Sequence, residues 1–328
     1  MNIFRCLAAL YLSLVLLGVI QFGLWGQVEY IYESGGSVLA LLTEDHVSAH
    51  LSRYLLVAPL FYIQDELSVS ANYLFSLLCG LMIVQLSVVS IQILEGVQGD
   101  VGAYQKLMIL IVFIVLSLFM HGRIIFALLA FALIIREMYA EIKGENKSVT
   151  MHFLVLCMAM WMSSVSSGTF AVVYFFLGYL LAIKAGKVLF SCFSWRDIVV
   201  FFCYILMAGL FFSLFMVFLN KNVNYFGGFW EVLEHGFGKF FLQNSREVVI
   251  LILANLIVIF SLLVQVYARL GVVRHLWVAI LIGLAGGAFG YSTLSIALVP
   301  FVVFLMYLMK IFGVKMIFQE QGVTLNEN

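Results

Sequence analysis

The chain has 328 residues, 64% of them apolar and only 10% charged, with 17 basic residues balancing 17 acidic ones and a mean hydropathy of +1.12. A soluble domain is about a quarter charged, so these few charges cannot cover a water-facing surface and lipid must be the solvent. Zero net charge excludes a large basic field for nucleic acid. The expected class is all-α: a polytopic membrane helix bundle, with 1–328 forming a single integral membrane domain.

In chain order, Arg5 leads into an apolar run from Leu7 to Trp25. At about 20 residues the run is long enough to span, and no small-x-small cleavage site follows, so it reads as a first span rather than a signal peptide. About ten spans follow the apolar pattern: 6–26, 69–93, 107–120, 124–139, 151–162, 170–183, 197–219, 248–267, 276–290 and 294–309. The first, second, seventh and eighth reach the length a bilayer needs. The other six pair into three short hairpins, centred on His121-Gly122-Arg123, on Ser163 to Thr169, and on Gly290-Tyr291-Ser292-Thr293. The first pair read as one helix over 107–135 would be about 44 Å long against a core of about 30 Å, with an arginine at its middle. Two short helices fit better than an eight-span plan.

Charge sets the expected orientation. With the N-terminus inside, 12 of the 17 Lys and Arg residues fall on the cytoplasmic side, and Arg53, Arg123, Lys221, Lys239 and Arg246 fall outside, as the positive-inside rule requires. Both termini are then cytoplasmic. The two long loops, about 27–68 (with an amphipathic stretch near 50–64) and 220–247, face outward with the three hairpin turns. The inner loops read as topology determinants only. The five cysteines form no CxxC pair, which argues against a disulfide framework or a metal site. Neither a metal nor another cofactor is expected.

Chemistry must therefore come from polar groups where lipid makes them expensive. In MHGRIIFALL, Arg123 opens a hydrophobic helix with a donor fork suited to phosphate, and His121 is placed to act as a base near neutral pH. Snorkelling to headgroups is the competing role for the arginine. In TEDHVSAHLSRYLL, Arg53 is a candidate contact for phosphate, against a solvated amphipathic face. His46 and His50 share a helical face there, but that spacing alone does not make a metal site. The second outer loop carries Glu231, His235 and Arg246 among aromatics and glycines. It suits either sugar stacking or a helix resting at the interface. Tyr291 in the third turn is a further substrate-contact candidate, with helix packing as the alternative. The SSVSSGT turn favours close helix approach over catalysis.

Ten helices, two long outer loops, the arginine opening HGRIIFALLAF and the small-residue turn SSGTF together resemble the bacterial surface-polysaccharide polymerases of the Wzy and EpsG-like group. The resemblance implies a membrane glycosyltransferase of O-antigen or capsule type. It would join repeat units carried on undecaprenyl pyrophosphate at the outer face of the inner membrane, beside other polysaccharide-assembly membrane proteins. By position, Arg123 would hold the donor pyrophosphate with Arg53 or Arg246 assisting, and His121 or His235 would take the acceptor's proton. A lipid-linked glycan flippase or small-solute transporter, and a non-catalytic scaffold subunit, remain the alternatives.

Overall fold

The computed structural model describes residues 3–24, 26–33, 48–144, 148–190, 195–232, 271–286 and 291–320, and among them all regular structure is helical. The main helices are α1 (Ile3–Leu16), α2 (Gly26–Glu33), α3 (Ser48–Leu67), α4 (Ala71–Gln98), α5 (Ala103–Ser117), α6 (Gly122–Ile142), α7 (Val149–Ser163), α8 (Ser167–Phe190), α9 (Trp195–Phe226), α10 (Arg274–Ala285) and α11 (Leu298–Glu320). Single helical turns at Gly271–Val273, Tyr291–Leu294 and Ser295–Ala297 border the last two. Three stretches are long and apolar enough to cross a membrane: Ala71–Gln98, Ser167–Gly186 and Asp197–Phe226. Shorter apolar helices accompany them, including Ile3–Leu16, Ala103–Ser117 and Val149–Ser163. The protein is a helical membrane protein. The expected span 248–267 lies outside the described residues.

Helix α4 is the axis. Of its most apolar stretch 61% is buried, against 17% for that of α9. Small residues let neighbours approach α4 closely, the usual packing device where lipid supplies no hydrophobic drive. Gly80 lies against Val15 of α1, and Gly96 lies under Tyr139 of α6, where an added Cβ would meet the tyrosine Cβ at 2.8 Å. At the other end of α6, a Cβ on Gly122 would stand 2.3 Å from the Phe75 ring. Helix α6 is thus seated on α4 at both ends through a glycine.

The chain reverses where the sequence is polar or small. Helix α5 stops at Ser117 and α6 restarts at Gly122, and α7 gives way to α8 across Ser164, Val165 and Ser166. Lys106 at the start of α5 pairs with Glu95 near the end of α4 at 3.0 Å, and Lys143 at the end of α6 donates to the Glu95 carbonyl at 2.6 Å. Helix α5 therefore runs antiparallel to both neighbours, as a hairpin requires. Hydroxyls close the second turn: Thr169 Oγ1 donates to the Ser163 carbonyl at 2.7 Å.

The first helix is shorter than the expected span 6–26. It ends at Leu16, where Gly18 takes a left-handed φ of 71°. The following segment runs extended along α4, with the Phe22 amide donating to Ser76 Oγ at 2.9 Å and the Leu24 amide donating to Asn72 Oδ1 at 2.9 Å. Side-chain oxygens there replace the carbonyls a continuing helix would have supplied. The expected outer loop 27–68 contains two helices, α2 and α3, joined by the stack of Tyr32 on Phe61 at 4.4 Å. Gln64 Oε1 then accepts the Ala71 amide at 2.7 Å and ties α3 to the first turn of α4.

Candidate functional site

Polar groups gather at both ends of the bundle, in two different ways. At the end bearing the His121-Gly122-Arg123 turn, three cations from three helices converge. Arg53 is on α3, Arg123 is in the first turn of α6, and Lys221 is near the end of α9. Arg53 is half-buried, and its guanidinium is pushed down to about 10, first by burial and then by the charge of Arg123. Lys221 in turn lies within the field of Arg53. Arg123 has no hydrogen bond or ion pair among the described residues. The free amides of the first turn of α6 add positive potential beside it.

The local sequence sets this geometry. The backbone at His121 is extended (φ −72°, ψ 146°) and its side chain does not cap the helix, so the exposed imidazole projects from the turn. Gly122 is buried against Phe75 and Cys79, which fixes where Arg123 leaves α6. Phe75 and Phe126 stack with centroids 6.0 Å apart below it. Asn222, next to Lys221, donates to Ser167 Oγ at 2.9 Å and fastens this end of α9 to the start of α8.

Of the residues picked out by sequence, Arg53 and Arg123 are thus brought together, with His121 on the same turn. Glu231 sits in the turn beyond α9, its carboxylate folded over Gly228. Tyr291 opens a helical turn, but its side chain lies outside the described residues, as does that of His50 on α3. His46, His235 and Arg246 are outside them altogether. Lys221 was not expected in a site. Its signals are its place among the five outward cations and the polar run Asn220-Lys221-Asn222 closing a long apolar helix.

The opposite end overturns the reading of the other side as topology signals alone. Glu137, His152, Lys184, Asp197 and His275 are all buried there. Glu137 accepts a hydrogen bond from Arg136 on one oxygen, and its other oxygen lies 2.8 Å from His152 Nδ1. His152 Nε2 is 3.0 Å from the Tyr204 hydroxyl. With a carboxylate at Nδ1, that nitrogen carries the proton, and Nε2 accepts from Tyr204. Lys184 pairs with Glu141 and, at 2.8 Å, with Asp197. Arg274 Nε donates across 3.5 Å to His275 Nε2, leaving His275 Nδ1 to donate to the Tyr179 hydroxyl at 2.8 Å. A cavity of about 410 Å³ opens between these groups, with Glu141, Lys184, Tyr204, Arg274 and His275 on its polar side. Among the described residues, no group of three or more His, Cys, Asp or Glu side chains is arranged to hold a metal ion.

No family model matches the chain. No curated protein and no solved structure is significantly similar to it.

Proposed function

We propose that the Arg53–Arg123–Lys221 cluster binds the pyrophosphate of an undecaprenyl-linked oligosaccharide, and that the protein polymerises such units at the outer face of a bacterial inner membrane. The convergence of Arg53 and Arg123 from separate helices carries this reading. Two guanidinium groups in each other's field, one of them desolvated, present donors from two helices to a single anion. Their fork geometry suits phosphate oxygens. The reading takes the cluster as the outward end of a bundle of about ten spans, with both termini cytoplasmic.

In the reaction, a hydroxyl of the acceptor sugar attacks the anomeric carbon of the donor's reducing-end sugar. The bond from that carbon to the pyrophosphate oxygen breaks, and undecaprenyl pyrophosphate leaves. The hydroxyl proton passes to His121, exposed on the same turn as Arg123. The cations stabilise the charge that grows on the leaving pyrophosphate. Other polysaccharide-assembly membrane proteins are the expected neighbours.

The test is the surface glycan. Arg123→Ala should collapse a ladder of repeat lengths on a gel to single units, with Arg53→Ala weakening it. An unchanged ladder in a strain whose only copy is Arg123→Ala rejects the assignment. The buried charges at the opposite end favour a second reading, a flippase or small-solute transporter, since ionisable groups inside membranes mark transport paths. Loss of the protein would then leave lipid-linked units on the inner leaflet rather than unpolymerised units outside.

A further inference from the structure

Helix α4 is 28 residues long, about 42 Å at a helical rise. A bilayer with its headgroups is about 40–45 Å thick, so the last turns of α4 lie at headgroup level. A polar cavity of about 240 Å³ opens there, between the ends of α4 and α6. A drug-sized ligand takes about 300–1,000 Å³, so this space suits a small polar head. Its polar wall is made by Gln92 and Glu95 of α4 and by Arg136 and Lys143 at the end of α6. Gly96 and Ala140, which carry no bulk, leave the space between them.

These side chains have more hydrogen-bonding capacity than the protein uses. Arg136 donates to Glu137 and, among the described residues, to nothing else. A guanidinium has five N–H donors, so most of the fork is left for the cavity. Lys143 donates once, to the Glu95 carbonyl at 2.6 Å, and has two further donors. The Gln92 amide is exposed and makes no hydrogen bond among the described residues. Donors of this kind from two helices suit the oxygens of a phosphate. Glu95 by itself would repel that group. Its Oε1 is held by Lys106 at 3.0 Å, and its other oxygen is placed to accept from a donor brought in beside the phosphate. An ammonium two carbons from the phosphate is such a donor. Below the cavity the same face of α4 continues through Val88, Gln85 and Leu81, the last two exposed. A molecule seated in the cavity can therefore lay a chain along α4, and a free ion would use none of that face.

We infer that this cavity binds a phosphoethanolamine head carried by a membrane phospholipid, with the phosphate on Arg136, Lys143 and Gln92 and the ammonium on Glu95. The acyl chains lie along α4 toward Leu81. The site shares no residue with the Arg53–Arg123–Lys221 cluster and does not depend on the polymerase reading.

The experiment is native mass spectrometry of the wild-type protein, delipidated in detergent and titrated in turn with dioleoyl phosphatidylethanolamine, phosphatidylglycerol and phosphatidylcholine. One phosphatidylethanolamine should bind at least about threefold more tightly than either of the others. Phosphatidylglycerol lacks the ammonium, and the phosphatidylcholine ammonium carries no N–H. Glu95→Gln should remove that preference and keep the binding. Lys143→Ala should weaken all three lipids about fivefold. Gln92→Trp fills the cavity from an exposed position and should abolish the preference along with the bound lipid. Equal affinity of the wild type for the three lipids overturns the inference, as does a preference that survives Gln92→Trp. Displacement of the lipid by free phosphoethanolamine at equal concentration would overturn the lipid as carrier and keep the head. The wild-type comparison decides even where a variant fails to fold. No glycan is read in this measurement, so the inference and the polymerase assignment fail separately.

Discussion

The two ends of the bundle treat charge in opposite ways. At the network end the buried ions among the described residues have partners of opposite sign: Glu137 with Arg136, and Lys184 with Glu141 and Asp197. At the HGR end, positive charges are held in reach of one another. Paired ions in a membrane interior hold helices in register. Cations drawn into one another's field from separate helices form the kind of perturbed group that binding sites use. Substitutions should therefore have different consequences at the two ends.

The largest effect is expected at the network end. Glu137→Ala removes the partner of both Arg136 and His152 and should lower stability by about 3–5 kcal/mol, read as a drop in the thermal unfolding midpoint in detergent. Glu137→Gln keeps the shape and should cost less. A midpoint unchanged by Glu137→Ala would mean the network is not structural. Next comes Gly122→Leu at the HGR end, where the new side chain must displace Phe75. Overpacking should cost about 1–3 kcal/mol and move Arg123, so glycan polymerisation should fall with stability. Phe75→Ala in the same chain should restore part of both. Lys106→Ala breaks a pair that is 37% and 41% exposed, and a loss within about 1 kcal/mol is expected.

Arg123→Ala is the sharpest contrast. It should leave the unfolding midpoint unchanged or raise it slightly, by no more than about 0.5 kcal/mol, while abolishing the glycan ladder. A large destabilisation would turn the arginine into a packing residue. The smallest expected effect concerns pH. The folded Arg53 value, about 10, lies below its ordinary one. Between the two values the unfolded chain binds more protons than the folded one. Stability lost to this buried charge therefore returns only as pH rises through that window. From pH 6 to 9 Arg53 stays a cation, and anion affinity at the cluster should show no change from it.

Much of the helical plan is legible in the sequence because polar or small residues interrupt apolar runs at His121-Gly122-Arg123 and at Ser163 to Thr169. Helix ends are less so. Helix α4 continues past the expected 93 to Gln98, and α9 past 219 to Phe226. A residue such as Glu95 or Lys221 leaves the apolar core without leaving the helix, since helix propensity and hydropathy are separate quantities. Arg53 and Arg123 each stand out in the sequence, but their proximity depends on how α3 folds back over α4 and meets α9. No periodicity encodes that. The buried network was hidden for a different reason. Lys184, Asp197 and Arg274 lie where flanking charges set topology, and in sequence they look the same as charges that stay in water. His152, alone in an apolar run near Glu137 and Glu141, was the available signal.

Helix α9 is 32 residues long, about 48 Å at a helical rise, and little of its apolar stretch is buried. A bilayer core is nearer 30 Å, so α9 must lean or protrude. Lys221 rides on its end, whereas Arg123 is fixed to α4 through Gly122. Bilayer thickness should thus act as a tuning parameter: a thin membrane tilts α9 further and shifts Lys221 against the two arginines, and a thick one draws it upright.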